Sequence, residues 1–267
     1  MGTPTEPTGT LERHQSLDVL RGFALVGIFA ANIYVFDLEQ LGEVEASFQA
    51  LTIGLADAPF AVFTALFILN KMMALFSILF GAGILLFTDR VGQRQLSLGR
   101  SYYTRNLILA GIGLLHGLLW FGDVLLIYAV CAIGWGLYDV NESISSMIHN
   151  LGVPFVAAGY ICLVMKLLLR GAIPKISKRL SAAGQMALTN YLLQTVLGTI
   201  FVTGINEVRG ERLTVVWMMI ITLVVWMLQL SWSKPWMERF EYGPVEWLWR
   251  SLTYGKAQPF KRRLLQL

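Results

Sequence analysis

Apolar residues gather in long blocks at 17–36, 72–88, 103–121, 124–138, 151–169, 182–204 and 213–232, divided by short polar stretches. A helix needs roughly 17–25 apolar residues to cross the hydrocarbon core of a membrane. The pattern therefore predicts an all-α fold, a polytopic transmembrane bundle of about seven spans by that length criterion. The second and fourth blocks are short, and residues 59–70 either lengthen the second or lie as an interfacial helix before Lys71. The predicted organisation is a disordered tail at 1–15, an N-terminal bundle at 16–139, a C-terminal membrane domain at 140–254 and a basic tail at 255–267. Residues 1–12 carry no basic run ahead of the first block, so that block is expected to be an uncleaved anchor.

Composition agrees with the pattern. Hydrophobic residues make up 55% of the 267, charged residues 14%, and the mean hydropathy is +0.60. Soluble domains carry about a quarter charged residues. The formal net charge of +4 sits in loops and tail, which points to anionic lipid as a partner and away from nucleic acid. Residues 37–58 hold Asp37, Glu39, Glu43, Glu45 and Asp57 without Lys or Arg, so that loop is expected outside. Arg90, Arg94, Arg100 and Arg105 place the next loop in the cytoplasm, as do Arg170, Lys175, Lys178 and Arg179, and the basic tail. These assignments conflict in parity, because an odd number of blocks separates Arg105 from Arg170. One block does not cross, or 170–179 faces outward, or a segment is missing near 139–150. Cys131 and Cys162 both fall in apolar blocks and read as buried small hydrophobes.

Ionisable groups at membrane depth are costly and mark functional candidates. Asp18 and Arg21, at i and i+3, share a helix face at the start of the first block. They either form a ligand-facing pair or are a dipole-facing acid and a snorkelling cation. His116 lies within the third block and Asp123 seven residues on, near the same face if the helix continues. An imidazole with a carboxylate beside it can act as a general base, and a hydrogen bond to a neighbouring helix is the alternative. Asn190 and Gln194 are one turn apart and face the bundle, as interhelical glue or as a substrate-binding stripe. Tyr128 reads as an interhelical donor, and Gly81 and Gly83 as points of close helix approach. The aromatic segment 232–254 has the composition of an interfacial belt, with a turn at Gly243-Pro244 and a short helix over 245–252. No phosphate loop, zinc spacing or nucleophile elbow is present, so neither a metal nor a resident cofactor is expected.

Several of these stretches together resemble the bacterial YeiB-like membrane proteins. They are 16–25, 76–81, His116 with Gly122-Asp123-Val124-Leu125 and Tyr128-Ala129, 184–194, and above all Gly243-Pro244-Val245-Glu246-Trp247-Leu248-Trp249-Arg250-Ser251-Leu252-Thr253-Tyr254. The C-terminal half is similar to the domain of unknown function numbered 418. The resemblance implies a protein of the bacterial cytoplasmic membrane, grouped with membrane acyltransferases, for which transport is the competing role. It also implies acyl-CoA as a possible donor and an envelope glycan or small molecule as acceptor. Many such acyltransferases follow the first-span Arg with a catalytic His; Arg21 has its counterpart here, but Asn32 stands at the His position. An amide is no general base. The expected roles are therefore His116 as base, Asp123 orienting it, and Asp18, Arg21, Asn32, Asn190 and Gln194 binding substrate. YeiB-like proteins also carry further spans after the Gly-Asp motif, where this chain has only a short polar stretch.

Overall fold

The computed structural model describes residues 15–39, 68, 71–93, 98–120, 125–133, 152–209 and 213–262. The regular elements there are helices: α1 Gln15–Glu39, α2 Lys71–Gln93, α3 Leu98–Gly117, α4 Leu125–Ile133, α5 Gly152–Leu169, α6 Pro174–Gln185, α7 Ala187–Arg209, α8 Val215–Arg239 and α9 Pro244–Tyr254. The one β-type pairing among the described residues is an isolated bridge between Phe240 and Lys261. The all-helical class predicted from the sequence stands. Among the described residues, three of the seven or so expected spans are stretches long and apolar enough to cross a membrane: Gln15–Ile33, Ala187–Arg209 and Val216–Arg239. Lys71–Ile84 and Ala157–Leu169 are shorter apolar helices.

α1 is the central post, touching α2, α5, α6, α7 and α8. Its apolar residues turn inward on every side: Val19, Ala24, Leu25 and Phe29 are fully buried. Leu75 of α2, Val202 of α7 and Val225 of α8 complete the same core. The outer faces are also apolar, with Leu107, Leu114 and Leu115 of α3 and Met227 and Leu228 of α8 exposed. A soluble monomer rarely shows so much contiguous apolar surface, whereas lipid tails cover it without cost.

Two sequence expectations change. The block at 182–204 is not one helix, because the chain bends at Met186, between α6 and α7. α6 presents Lys175, Lys178 and Arg179 to the outside and buries Ser177, Ser181, Ala182, Ala183 and Gly184, so it is an amphipathic helix with a small-residue face. That face lets it press onto α1: a Cβ added at Gly184 would sit 1.8 Å from the Asp18 carbonyl oxygen, and one at Gly22 2.0 Å from that of Leu180. Cys162, expected to be buried, is exposed on the outer side of α5. The described part of α4, at 9 residues, spans about 14 Å at 1.5 Å per residue. Residues 121–124 and 134–151, on which the parity conflict turns, lie outside the described residues.

The C-terminal segment folds as its turn residues predict. Pro244 occupies the first turn of α9, and Gly255 closes it with φ 62° in the left-handed region.

Candidate functional site

Asp18 and Arg21 sit where α1 enters the bundle, pinned by the backbone-to-backbone crossing of α1 and α6 at Gly22 and Gly184. Asp18 is buried, and Arg21 Nη1 donates to its Oδ1 at 3.4 Å, a long contact for an ion pair. The guanidinium reaches across to α2, where Gly83 leaves it room: a Cβ there would lie 3.0 Å from Arg21 Nη2. This is the use of Gly83; Gly81 faces open space.

Both residues line a cavity of about 220 Å³ that α1 shares with α2, α3, α4, α6, α7 and α9. Phe76, Phe80 and Phe87 of α2 form one wall, with Tyr128 of α4 stacked on Phe80 at 5.5 Å. Tyr128 exchanges a 2.9 Å hydrogen bond with Ser77, the interhelical role expected of it. Arg105 of α3 enters from another side, its guanidinium 4.7 Å from the Phe87 ring and 4.3 Å from the Trp249 ring. Trp249 Nε1 donates to the Arg105 carbonyl at 3.0 Å, which docks α9 onto α3. Arg250 also lines the cavity and lies 4.8 Å over the Tyr242 ring.

Glu246 holds the other side of α9. Its carboxylate accepts from the Thr189 backbone N–H at 2.9 Å and from the Thr189 hydroxyl, while that hydroxyl accepts from Val245 N–H at 3.1 Å. Thr189 is in the first turn of α7, so Glu246 satisfies an otherwise unpaired helix N-terminal donor from a different helix. Burial pushes the Glu246 carboxyl above the usual carboxylate range, and the Thr189 hydrogen bonds oppose that shift.

The remaining expected site residues lie elsewhere. His116 is buried, with Nε2 2.8 Å from Thr195 Oγ1 of α7, and its ring packs on Trp120 and on Tyr191. It does not line the cavity; Tyr191, which does, has its ring 5.2 Å away. Along α3, His116 is eleven residues beyond Arg105, which is about 16 Å at 1.5 Å per residue. Asp123 lies outside the described residues. Asn32, half-buried on α1, is not among the lining residues. Asn190 Nδ2 donates to the Ala183 carbonyl and to Ser233 Oγ at 3.2 and 3.1 Å. Gln194 Nε2 donates to the Leu25 carbonyl at 3.2 Å and to Gln229 Oε1 at 2.9 Å, and Gln229 Nε2 to the Asn190 carbonyl at 2.8 Å. That network ties α7 to α1, α6 and α8.

The structure thus brings Asp18 and Arg21 together with residues that the sequence offered for other reasons. Arg105 counted only toward loop polarity, while Arg250 counted toward the basic C-terminal stretch and, with Trp249, toward the aromatic belt and the family resemblance. The signal that could have flagged the last two was the density of the 243–254 motif.

These features define an all-helical protein with membrane-length apolar helices around a basic, aromatic-walled cavity at one end of the bundle. Residues 99–256, more than half of the chain, match the family model described as Protein of unknown function (DUF418), and the chain belongs to that family. It is similar to an uncharacterized 39.9 kDa protein in the amylase 3' region of Bacillus acidopullulyticus, 24% identical over 348 positions that cover 95% of this chain and 97% of the relative. The alignment is longer than this chain, so segments of that relative have no counterpart here. Uncharacterized protein YxaH of Bacillus subtilis (strain 168) is 33% identical over 128 residues, covering 48% of this chain and 31% of the relative. Uncharacterized protein YeiB of Escherichia coli (strain K12) is 34% identical over 137 residues, covering 48% of this chain and 34% of the relative. The matches to YxaH and YeiB therefore span about a third of each of those proteins. No solved structure matches the chain.

Proposed function

We propose that the protein is a multi-pass enzyme of the bacterial cytoplasmic membrane that transfers an acyl group to an envelope glycan or small-molecule acceptor inside this cavity. The observation that carries the reading is the meeting of Asp18 and Arg21, from the first helix, with apolar and aromatic walls around one cavity. Acyl transfer needs a base within reach of the acceptor hydroxyl and a donor for the developing oxyanion. Asp18 is the lining carboxylate on the first helix and takes the proton. The acceptor oxygen then bonds to the acyl carbonyl carbon, Arg21 steadies the oxygen's charge, and the bond to the donor's leaving group breaks. A thioester of the acyl-CoA type would be the donor, a substrate and not a resident cofactor. Arg105 and Arg250 belong to the basic stretches whose asymmetry predicts the cytoplasmic side, so the donor would enter from the cytoplasm. In this reading His116, Asn190 and Gln194 hold helices together, and Asn32 and Asp123 have no assigned step.

The test compares envelope glycans and metabolites by mass between a deletion strain and strains complemented with the wild type or Asp18→Asn. An acyl-sized mass difference that Asp18→Asn fails to restore is expected. Restoration by Asp18→Asn removes the assigned base, and identical masses in all strains remove the enzyme. A second reading, carriage of a solute, fits the same charged residues lining a cavity between apolar helices. It requires flux into proteoliposomes with no change in the mass of the solute.

A further inference from the structure

Three guanidiniums, those of Arg21, Arg105 and Arg250, line the same cavity. Arg105 is the informative one. It is mostly buried, and among the described residues its guanidinium has the rings of Phe87 and Trp249 beside it but no ion pair and no hydrogen bond. Arg250 and Arg21 are its repelling neighbours. A guanidinium stays charged in a protein and presents its donors as a planar fork, which suits phosphate oxygens better than any point cation does. The rings steady the cation electrostatically but accept nothing from the N–H fork. Of the two carboxylates among the described lining residues, Asp18 is engaged by Arg21 and Glu246 by Thr189, so neither is paired with Arg105.

We propose that Arg105, with Arg250 and Arg21, is a binding site for a phosphate or diphosphate group. Carrying more than one negative charge, such a group offsets several guanidiniums at once, where a single carboxylate would leave the cluster positive. The inference deepens the cavity reading above and rests on it: the phosphate would be the handle by which the substrate is held beside Asp18 and Arg21. The same chemistry is offered by a soluble phosphorylated donor and by a lipid headgroup.

The full chain, purified in zwitterionic nanodiscs, is titrated calorimetrically with inorganic pyrophosphate, dihexanoyl phosphatidic acid and acetate at matched ionic strength. Pyrophosphate or the phosphatidate is expected to bind at least tenfold more tightly than acetate. Arg105→Gln and Arg250→Gln are each expected to weaken that binding at least tenfold, with helical content unchanged by circular dichroism. Tighter binding of pyrophosphate assigns a soluble source, and tighter binding of the phosphatidate a lipid one. No phosphate binding, acetate binding as tight, or affinity unchanged in both variants overturns the site. Arg250→Gln serves alone if Arg105→Gln does not fold, since the Trp249 contact stays intact in it. The outcome separates from that of the acyl-transfer reading: a mass difference in the strains without phosphate binding sinks this site only. Phosphate binding without a mass difference sinks the enzyme only.

Discussion

Two polar layers share this bundle, and they are built on opposite principles. In one, His116, Thr195, Asn190, Gln194, Gln229 and Ser233 pair with one another and with backbone carbonyls from helix to helix. In the other, Arg21, Arg105 and Arg250 border a cavity, and Arg105 has aromatic rings in place of hydrogen-bond partners. Both layers interrupt apolar helices, so both look alike as polar letters in a hydrophobic string. The difference is where the partners come from. When neighbouring helices supply them, a polar group in a span stabilises the bundle; when the protein does not, the group is addressed to something else.

The crossing of α1 and α6 holds the basic layer in place, and breaking it has the largest expected effect. Gly184→Val puts side-chain atoms where the Asp18 carbonyl already lies. Because the obstacle is backbone, the two helices must part, at a cost of about 3 kcal/mol, the upper end for an overpacked site. The expected outcome is a collapse in the yield of monodisperse protein in detergent, with any surviving fraction melting well below the wild type. A normal melting curve would mean that the crossing does not order the cavity.

Arg21→Gln tests the basic layer alone. Loss of one oxyanion donor lowers turnover by about 100-fold, while the contact, long at 3.4 Å and with Arg21 partly exposed over a buried Asp18, contributes about 1 kcal/mol to folding. Single-turnover rates and unfolding midpoints on one preparation check both halves. If rate and stability fall together, the two layers do not differ in kind.

His116→Ala is the mirror experiment. It leaves the Thr195 hydroxyl buried without its partner, which costs about 1–3 kcal/mol, and a double-mutant cycle with Thr195→Val isolates the shared part. Phosphate affinity in the cavity is expected to stay within twofold of the wild type. A large drop in turnover at unchanged stability would instead return His116 to the chemistry.

Apolar block length and small-residue spacing made the helical class legible, because burial against lipid and against other helices leaves a coarse periodic trace. Asp18 and Arg21 were legible as a pair for the same local reason: i and i+3 fix a common helix face. What stayed hidden was long-range. Nothing local in Arg105 says that Phe87, eighteen residues back, and Trp249, far down the chain, will flank it. His116 was legible as a costly group at depth, but its partner was not, because the Thr195 hydroxyl that pairs with it sits seventy-nine residues away. The bend at Met186 was missed because the alanines and glycine of α6 score as apolar while serving as a packing face.

Glu246 belongs to neither layer cleanly, since it lines the cavity yet has its partners in the protein, and its pH response decides which description fits. Burial raises its folded carboxyl above the unfolded value of about 4.3. A raised folded value means that this group's contribution to stability is whole below the unfolded pKa and is lost as pH rises through the folded one. Glu246→Gln cannot titrate, so it lacks that slope. Unfolding midpoints of the two proteins, followed from mildly acidic to neutral pH, should show the wild type losing ground against the variant as pH increases, by a fraction of the shift at the other sites. Parallel curves would mean that Glu246 stays charged at every pH tested. It would then belong with the charges of the cavity, leaving only one guanidinium in excess of the lining carboxylates, and the case for a multiply charged ligand there would weaken with it.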